Sequence, residues 1–429
     1  MSVSRKSFPK VFLGGARILQ EFVRNLAVTF AIPVIDIARV AGGFEIPRPR
    51  RPRLKPLTEN PAGRSLNSLV VRGVRRLTGR SIGTSQPILN ELSNLASSGR
   101  TLVIGPWLSE VGFEVLYWIP FLQWAVREYS IDPSRILVVS RGGVEPWYRH
   151  LGGRYVELLD HFTPEEFRKL NEQRIAASGH QKHMGLGEAD RVILDRVCAA
   201  KGVFEYDVVH PALMYQLLLP LWQRRSPSGL AFNHSLYLPM VHPDAVFKPP
   251  GLPLRYTAAK FYFSDAFPRS AANVEKVGRL LHAYLRVGPV VLLISGVQMD
   301  DHTDMLEALP KEVIVITADD PARNLLLQTA VVAGAERFIG TYGGFSYLAP
   351  LLGVPSLCVY SDPGRLMPVH MDIAFRVFRQ FACGHSEKGC APNSIGEMPA
   401  ARFTPVHIDA MADMPLQMKN LFNLEQVTI

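Results

Sequence analysis

The sequence predicts an α/β fold of two Rossmann-like, doubly wound domains facing each other across a cleft, preceded by a basic N-terminal extension. Three observations carry this reading. Short β-branched runs alternate with helical periods from Thr101 onward, the proline-rich break Lys248-Pro249-Pro250-Gly251-Leu252-Pro253 separates two such series, and positive charge is concentrated before residue 100. The expected units are a basic extension over 1–98, an N-terminal Rossmann-like domain over 99–250, a C-terminal Rossmann-like domain over 251–380 and a tail segment over 381–429.

The composition allows such domains. With 47% hydrophobic and 20% charged residues, 429 positions supply sizeable cores, which excludes disordered and collagenous classes; four cysteines are too few for a disulfide scaffold. Residues 1–100 hold 17 Lys and Arg against 5 Asp and Glu, leaving 30 against 33 for the rest. The net charge of +9 therefore belongs to the front segment, which argues against a general nucleic-acid binder. With no secretory-signal pattern, the expected location is cytoplasmic.

In the extension, Ile18, Leu19, Phe22, Val23, Leu26 and Phe30 recur at three- and four-residue steps beside Arg17 and Arg24, a cationic amphipathic helix. Pro33, Asp36 and Arg39 interrupt the apolar stretch before it could span a bilayer. The run from Pro47 to Pro56 is an extended Pro-Arg tether, and Arg72, Arg75, Arg76 and Arg80 repeat the amphipathic pattern around Leu69, Val70, Val74 and Leu77. Together these suit an anionic membrane surface, with the protein peripheral on the inner face of the cell membrane.

In the first half, Thr101-Leu102-Val103-Ile104 reads as a strand ending at Gly105-Pro106, followed by a helix to Glu128. Ile136 to Ser140 is a second strand ending in Arg141-Gly142-Gly143, and Tyr155 to Leu159 a third. Trp118, Phe121 and Trp124 follow helical spacing and read as core. The second half begins with a strand at Phe261-Tyr262-Phe263, then a helix over 272–285. Strands follow at Val290–Ile294, Val313–Ile316, Arg337–Gly340 and Leu357–Tyr360, with helices near 321–333 and beyond Gly344. Ligands of open α/β sheets bind outside the carboxyl ends of the strands, so these strand-end loops should meet at the cleft.

The most informative segment runs from Phe338 to Pro355. A strand ends at Gly340, Thr341-Tyr342 leads to the pair Gly343-Gly344, and a helix starts near Phe345 or Ser346 with its unpaired N–H groups toward the turn, an arrangement that can hold phosphate. A tight structural turn would have the same local pattern.

This block resembles that of bacterial GT-B nucleotide-sugar glycosyltransferases, the heptosyltransferases among them, in which a strand, a Gly-rich turn and a helix precede a Gly-x-Pro strand, here Gly353-Val354-Pro355. The segment Gly105 to Leu122 is similar to the Gly-Pro-Trp…Glu-x-Gly…Trp-x-Pro-Phe-Leu opening of glycosyltransferases of the polysaccharide-biosynthesis type. The likeness covers residues 100–365. It implies that the amides of Gly343, Gly344, Phe345 and Ser346, with the Ser346 hydroxyl and Thr341 in the same turn, bind the donor diphosphate. Lys260 would offset charge on the leaving group. It also implies no cofactor and no metal, consistent with the lack of any Asp-x-Asp pair.

An inverting transferase needs a base for the acceptor hydroxyl, and the loop after the first strand offers Glu110, with Glu114 second. Gly105, Trp107, Gly112 and Arg141 would line the acceptor side, Gly112 allowing close approach by a ligand or by the other domain. Asp300-Asp301-His302-Thr303-Asp304 could hold magnesium or ribose but equally opens a solvated helix, and His210 could be a strand-end ligand or structural. Cys383 and Cys390 around His385 lack a second pair and read as free thiols. The predicted function is transfer of a sugar from a nucleotide-sugar donor to a cell-surface polysaccharide or lipid-linked glycan. A nucleotide-sugar epimerase or a catalytically idle membrane scaffold are the alternatives. A dinucleotide dehydrogenase is disfavoured because Gly340 to Gly344 does not form G-x-G-x-x-G.

Overall fold

A computed structural model describes residues 85–179, 182–240, 249, 251–295, 303–307, 309–383 and 403–413. The cationic stretches over 11–30, 47–56 and 69–80 lie outside them, as do Lys248, Pro250, Asp300, Asp301, His302, His385 and Cys390.

The first unit is a sheet of β1 (Thr101–Ile104), β2 (Ile136–Ser140), β3 (Arg154–Glu157) and β4 (Tyr206–Val209), ordered β3-β2-β1-β4 with every pair parallel. The inner strands β1 and β2 are buried on both sides, and alternate residues serve different cores. Val103, Leu137 and Val139 face one, Leu102, Ile104 and Val138 the other. The expected third strand stops early because the Glu157 carboxylate accepts the Leu159 amide and turns the chain into a 3-10 helix.

Helix α1 (Gln86–Ser97) precedes this sheet. Ile88 and Leu92 are buried in its core, and the Arg135 guanidinium donates to the carbonyls of Leu95, Ala96 and Arg100. The segment 86–97 therefore belongs to the folded body, which corrects the expected boundary at residue 98. After β1 the chain makes a helical turn, a π-helical stretch over Glu114–Trp118, and α2 (Ile119–Glu128). Helix α3 (Pro164–Ser178) starts at a reciprocal cap between Thr163 and Glu166 and stops at left-handed Gly179; α4 (Glu188–Ala200) and α5 (Pro211–Trp222) complete the unit.

The second unit contains β5 (Thr257–Lys260), β6 (Tyr262–Phe263), β7 (Val290–Ile294), β8 (Thr303–Asp304), β9 (Ile314–Thr317), β10 (Arg337–Thr341), β11 (Ser356–Tyr360) and β12 (Phe403–His407). Six form one parallel sheet in the order β12-β11-β10-β5-β7-β9; β6 and β8 pair antiparallel beside it. The chain runs outward from β5 in one direction and from β10 in the other, a doubly wound sheet with its switch point between them. Its helices are α6 (Ala271–Leu285), α7 (Asn324–Ala333), α8 (Gly344–Leu351) and α9 (Pro368–Cys383).

Two strands depart from expectation. The central strand is Thr257–Lys260 and not Phe261–Phe263, because small Ala258 and Ala259 admit helices on both faces, a packing role that β-propensity does not register. The tail supplies β12, an edge strand in which Pro405 costs no inner ladder bond.

One continuous apolar core joins the two units: Leu102, Trp118 and Leu217 of the first pack in the same cluster as Val291, Phe338 and Phe378 of the second. Hydrogen bonds cross the same boundary, from Trp147 Nε1 to Thr329 Oγ1 (3.1 Å) and from the Leu326 amide to the Gly142 carbonyl (2.9 Å). Among the described residues no helix is long and apolar enough to cross a membrane.

Candidate functional site

The carboxyl ends of β1, β5 and β10 open on a cleft of about 600 Å³ between the two units. Among its lining residues are Glu110, Gly112 and Arg141 from the first, and Lys260, Gly344 and Phe345 from the second.

On the first wall, the loop after β1 divides its residues between core and cleft. Gly105 has φ +123°, and a Cβ there would stand 2.4 Å from the Val139 carbonyl oxygen. Trp107 is fully buried, stacked on Trp118 and Tyr215. Gly105 and Trp107, two of the four expected acceptor-side residues, are therefore framework. Glu110 stays partly exposed, and Lys182 Nζ donates to its Oε1 at 2.5 Å while lying 3.6 Å from the centre of the Phe113 ring.

Glu114 points the other way. It is wholly buried, and its carboxylate accepts from Ser140 Oγ (2.9 Å), Tyr148 Oη (2.6 Å) and Arg141 Nη1 (2.9 Å). Burial raises its pKa, and the Arg141 charge opposes the rise. With its oxygens committed to these donors, Glu114 is not a base for the cleft; it fixes Arg141, which also donates to the Ser109 carbonyl. The amides of Gly142 and Gly143 donate to the buried Glu157 carboxylate at 2.9 and 2.6 Å.

On the second wall, the block 341–346 is only partly free for a ligand. Thr341 Oγ1 accepts the Tyr262 amide and donates to the Tyr262 carbonyl, both at 3.1 Å, joining β10 to β6. Ser346 is fully buried, its Oγ accepting the Gly343 amide and donating to the Gly343 carbonyl. The Ser346 amide also goes to that carbonyl. Thr341, the Ser346 hydroxyl, and the amides of Gly343 and Ser346 are thus taken by the protein itself, a correction to the expected donor set. The amides of Gly344 and Phe345 open α8 and have no acceptor within the helix.

The two glycines answer to different neighbours. A Cβ on Gly343 would overlap Tyr262 Oη, whereas one on Gly344 would stand 2.8 Å from the Gly112 amide nitrogen. Gly112 thus makes room for the other domain's backbone.

Lys260 ends β5 and is buried, its Nζ 3.0 Å from Ser295 Oγ, 3.6 Å from Asp304 Oδ1 and 5.1 Å from the centre of the Phe345 ring. Asp304 accepts the Ser295 amide, and Asn324 Nδ2 donates to the Ser295 carbonyl at 2.8 Å. A cation, a carboxylate and amide groups line this end of the cleft, a set able to meet phosphate and sugar hydroxyls. Of the expected acidic run only Thr303 and Asp304 are described, and Asp304 serves Lys260 and Ser295.

Two residues, one beside the cleft and one lining it, carried no sequence signal. Lys182 stands alone in an undistinguished loop. His370 on α9 hydrogen-bonds through Nδ1 to Tyr117 Oη of the other unit, and burial lowers its pKa to about 3. Neither pairing is recoverable from spacing, since the partners are 72 and 253 residues apart.

Behind the first wall, His183, Asp190 and His210 are buried with one potential ligand atom each, all within 4.8 Å of one another. Their hydrogen bonds decide whether a metal fits. His183 Nε2 accepts the Leu108 amide and His210 Nδ1 accepts the Ala212 amide, both at 3.2 Å, so the nitrogens facing Asp190 carry the ring protons. Burial and the nearby Arg174 charge hold His183 neutral. The nitrogens facing Asp190 stand 3.9 and 3.6 Å from its oxygens, beyond hydrogen-bond distance, and with Asp190 Oδ1 have no hydrogen-bond partner among the described residues, so the set could hold a metal ion only with the other ring tautomers and without the Leu108 and Ala212 bonds. His210, a candidate strand-end ligand, caps α5 inside this cluster.

No protein-family model matches the chain, and no curated protein does. Among solved structures, it is similar to the iron-containing dodecameric glycosyltransferase TibC of enterotoxigenic E. coli (14% identity, TM-score 0.30), with 61% of this chain matching 58% of that one. It is also similar to E. coli ADP-heptose lps heptosyltransferase II (14%, TM-score 0.31; 61% of this chain, 85% of that one). For E. coli heptosyltransferase WaaC with ADP the values are 16%, TM-score 0.33, 62% and 89%. Overlap this loose assigns neither fold nor activity; the strand orders define the fold, and the side chains of the cleft define its chemistry.

Proposed function

We propose that this chain is a glycosyltransferase that moves a sugar from a nucleotide-sugar donor to a polysaccharide or lipid-linked glycan of the cell envelope, with inversion and without a metal. One observation carries the reading: two doubly wound sheets share a cleft with the Glu110 carboxylate on one wall, and Lys260 beside the α8 N-terminus on the other.

In this reading the acceptor hydroxyl gives its proton to the Glu110 oxygen that Lys182 leaves open. Its oxygen attacks the anomeric carbon, and the bond from that carbon to the diphosphate breaks with the electron pair leaving on the diphosphate. The amides of Gly344 and Phe345, the positive end of α8 and the Lys260 ammonium stabilise that departing charge. These groups supply the positive potential that a divalent cation would otherwise supply. The basic residues of 1–98 bring the enzyme to an anionic leaflet on the cytoplasmic side, where a lipid-linked acceptor is presented.

The test is a thermal-shift panel of UDP-, GDP-, ADP-, CMP- and dTDP-sugars with and without magnesium, because a ligand that binds only the folded state raises its melting temperature. A rise with one nucleotide family that survives a chelator supports the reading. No rise with any of them turns it toward the catalytically idle scaffold.

A further inference from the structure

The pair formed by Lys182 and Glu110 poses a physical question. Their side chains are 30% and 27% exposed, and an ion pair that wet is too weak to hold a loop in place. Lys182 lies in the connection between α3 and α4, whereas Glu110 follows β1, so something else must bring the two segments together.

The next residue does so. His183 is 1% exposed, and its Nε2 accepts the Leu108 amide at 3.2 Å, two residues before Glu110. Its Nδ1 faces Asp190 Oδ1 at 3.9 Å, and its ring packs 5.6 Å from Trp107 and 5.4 Å from His210. Asp190 in turn accepts the Gly187 amide at 2.8 Å, which closes the same connection at its far end, and lies 3.6 Å from His210 Nε2 of α5. The loop is thus pinned from inside at His183 and at Gly187, and its Lys182 side chain reaches Glu110 and the Phe113 ring.

We propose that His183 is a positioning residue: its imidazole, which accepts the Leu108 amide and packs against the Trp107 and His210 rings, sets the loop that delivers the Lys182 ammonium to Glu110. This rests on the reading of Glu110 as the base, because the delivered ammonium neutralises one carboxylate oxygen and leaves the other for the acceptor proton. A metal ligand at His183 would need Nδ1 unprotonated and would lose the Leu108 bond; a positioning residue keeps that bond.

The test requires no substrate. Treating the full chain with a water-soluble carbodiimide condenses an adjacent carboxylate and amine into an amide with loss of water, and mass spectrometry reports the Glu110–Lys182 cross-linked peptide. The wild type should give this product. His183→Phe, which keeps the ring and removes both nitrogens, should reduce it to background, and His183→Gln, whose amide can accept from Leu108 and donate toward Asp190, should restore it. An undiminished cross-link in a folded His183→Phe protein overturns the proposal.

Should His183→Phe not fold, nitrogen-15 NMR of histidine-labelled wild type decides. A His183 protonated at Nδ1 and bare at Nε2 supports the proposal, and the opposite tautomer overturns it. Nucleotide-sugar binding by the wild type is read separately by thermal shift. Loss of that binding with the cross-link pattern intact would sink the transferase reading and leave the positioning role standing.

Discussion

Gly112 and Gly344 meet backbone to backbone across the domain boundary: a Cβ on Gly344 would lie 2.8 Å from the Gly112 nitrogen, and one on Gly112 would lie 3.4 Å from Gly344 Cα. The α8 N-terminus is therefore seated against the first domain before any ligand arrives. Gly344→Val should part the two walls, destabilising the protein by about 1–3 kcal/mol as overpacking does. Gly112→Ala, at ordinary contact distance, should cost less. Denaturant melts of the two variants check the order; equal stabilities would mean that the contact does not constrain the fold.

The two carboxylates of the first wall should separate cleanly. Glu110→Gln removes only a proton acceptor, so turnover should fall roughly 10²–10⁴-fold with donor affinity and melting temperature nearly kept. Glu114→Ala leaves the Arg141 guanidinium buried beside an empty site and should cost about 3–5 kcal/mol of stability. Kinetics and melts on the same two proteins read both effects. An active Glu110→Gln enzyme would move the base elsewhere.

His370 makes stability depend on pH. Its folded pKa of about 3 lies below the ordinary value of 6.5, so between these limits the unfolded chain binds a proton that the folded chain refuses. This contribution is fully present above pH 6.5 and is lost as pH falls toward 3, by up to a few kcal/mol. In His370→Phe the melting temperature should fall less steeply between pH 7 and 5. Parallel curves for variant and wild type would refute the assignment.

Truncation should distinguish the extension from the body. Removing residues 1–84 should leave the melting temperature unchanged and release the protein from anionic vesicles, partly mimicked by salt. Removing residues 1–98 also takes Ile88 and Leu92 out of the core and strips Arg135 of its acceptors at Leu95 and Ala96, so that protein should lose several kcal/mol. Sedimentation with vesicles and thermal melts read the two effects apart.

Much of the architecture was legible locally. The runs at 101–104, 136–140, 290–294 and 337–341 alternate between two buried faces, and a strand buried on both sides leaves its mark in a few consecutive residues. The switch-point loops follow from the order of those strands, which is why Glu110, Arg141, Lys260 and Gly344 could be gathered at one cleft from sequence. Ala258 and Ala259 concealed the central strand because their role is to be small between two helix layers. Pro405 helped conceal β12 because an edge position is visible only once the sheet is assembled.

Which polar group meets which is another matter. Nothing within a few residues of Glu110 and Glu114 distinguishes them; the π-helical turn sends one to Arg141, Ser140 and Tyr148 and leaves the other at the surface with Lys182. Gly343 and Gly344 are adjacent, yet one is required by Tyr262 and the other by Gly112. Sequence by itself determined the doubly buried strands at 101–104, 136–140, 290–294 and 337–341 and the basic front, because these depend on residues in short register along one chain. Tertiary structure alone decided which carboxylate stays at the cleft, which amides the turn itself occupies and the partners of Lys182 and His183, because a hydrogen bond depends on groups that only folding brings together.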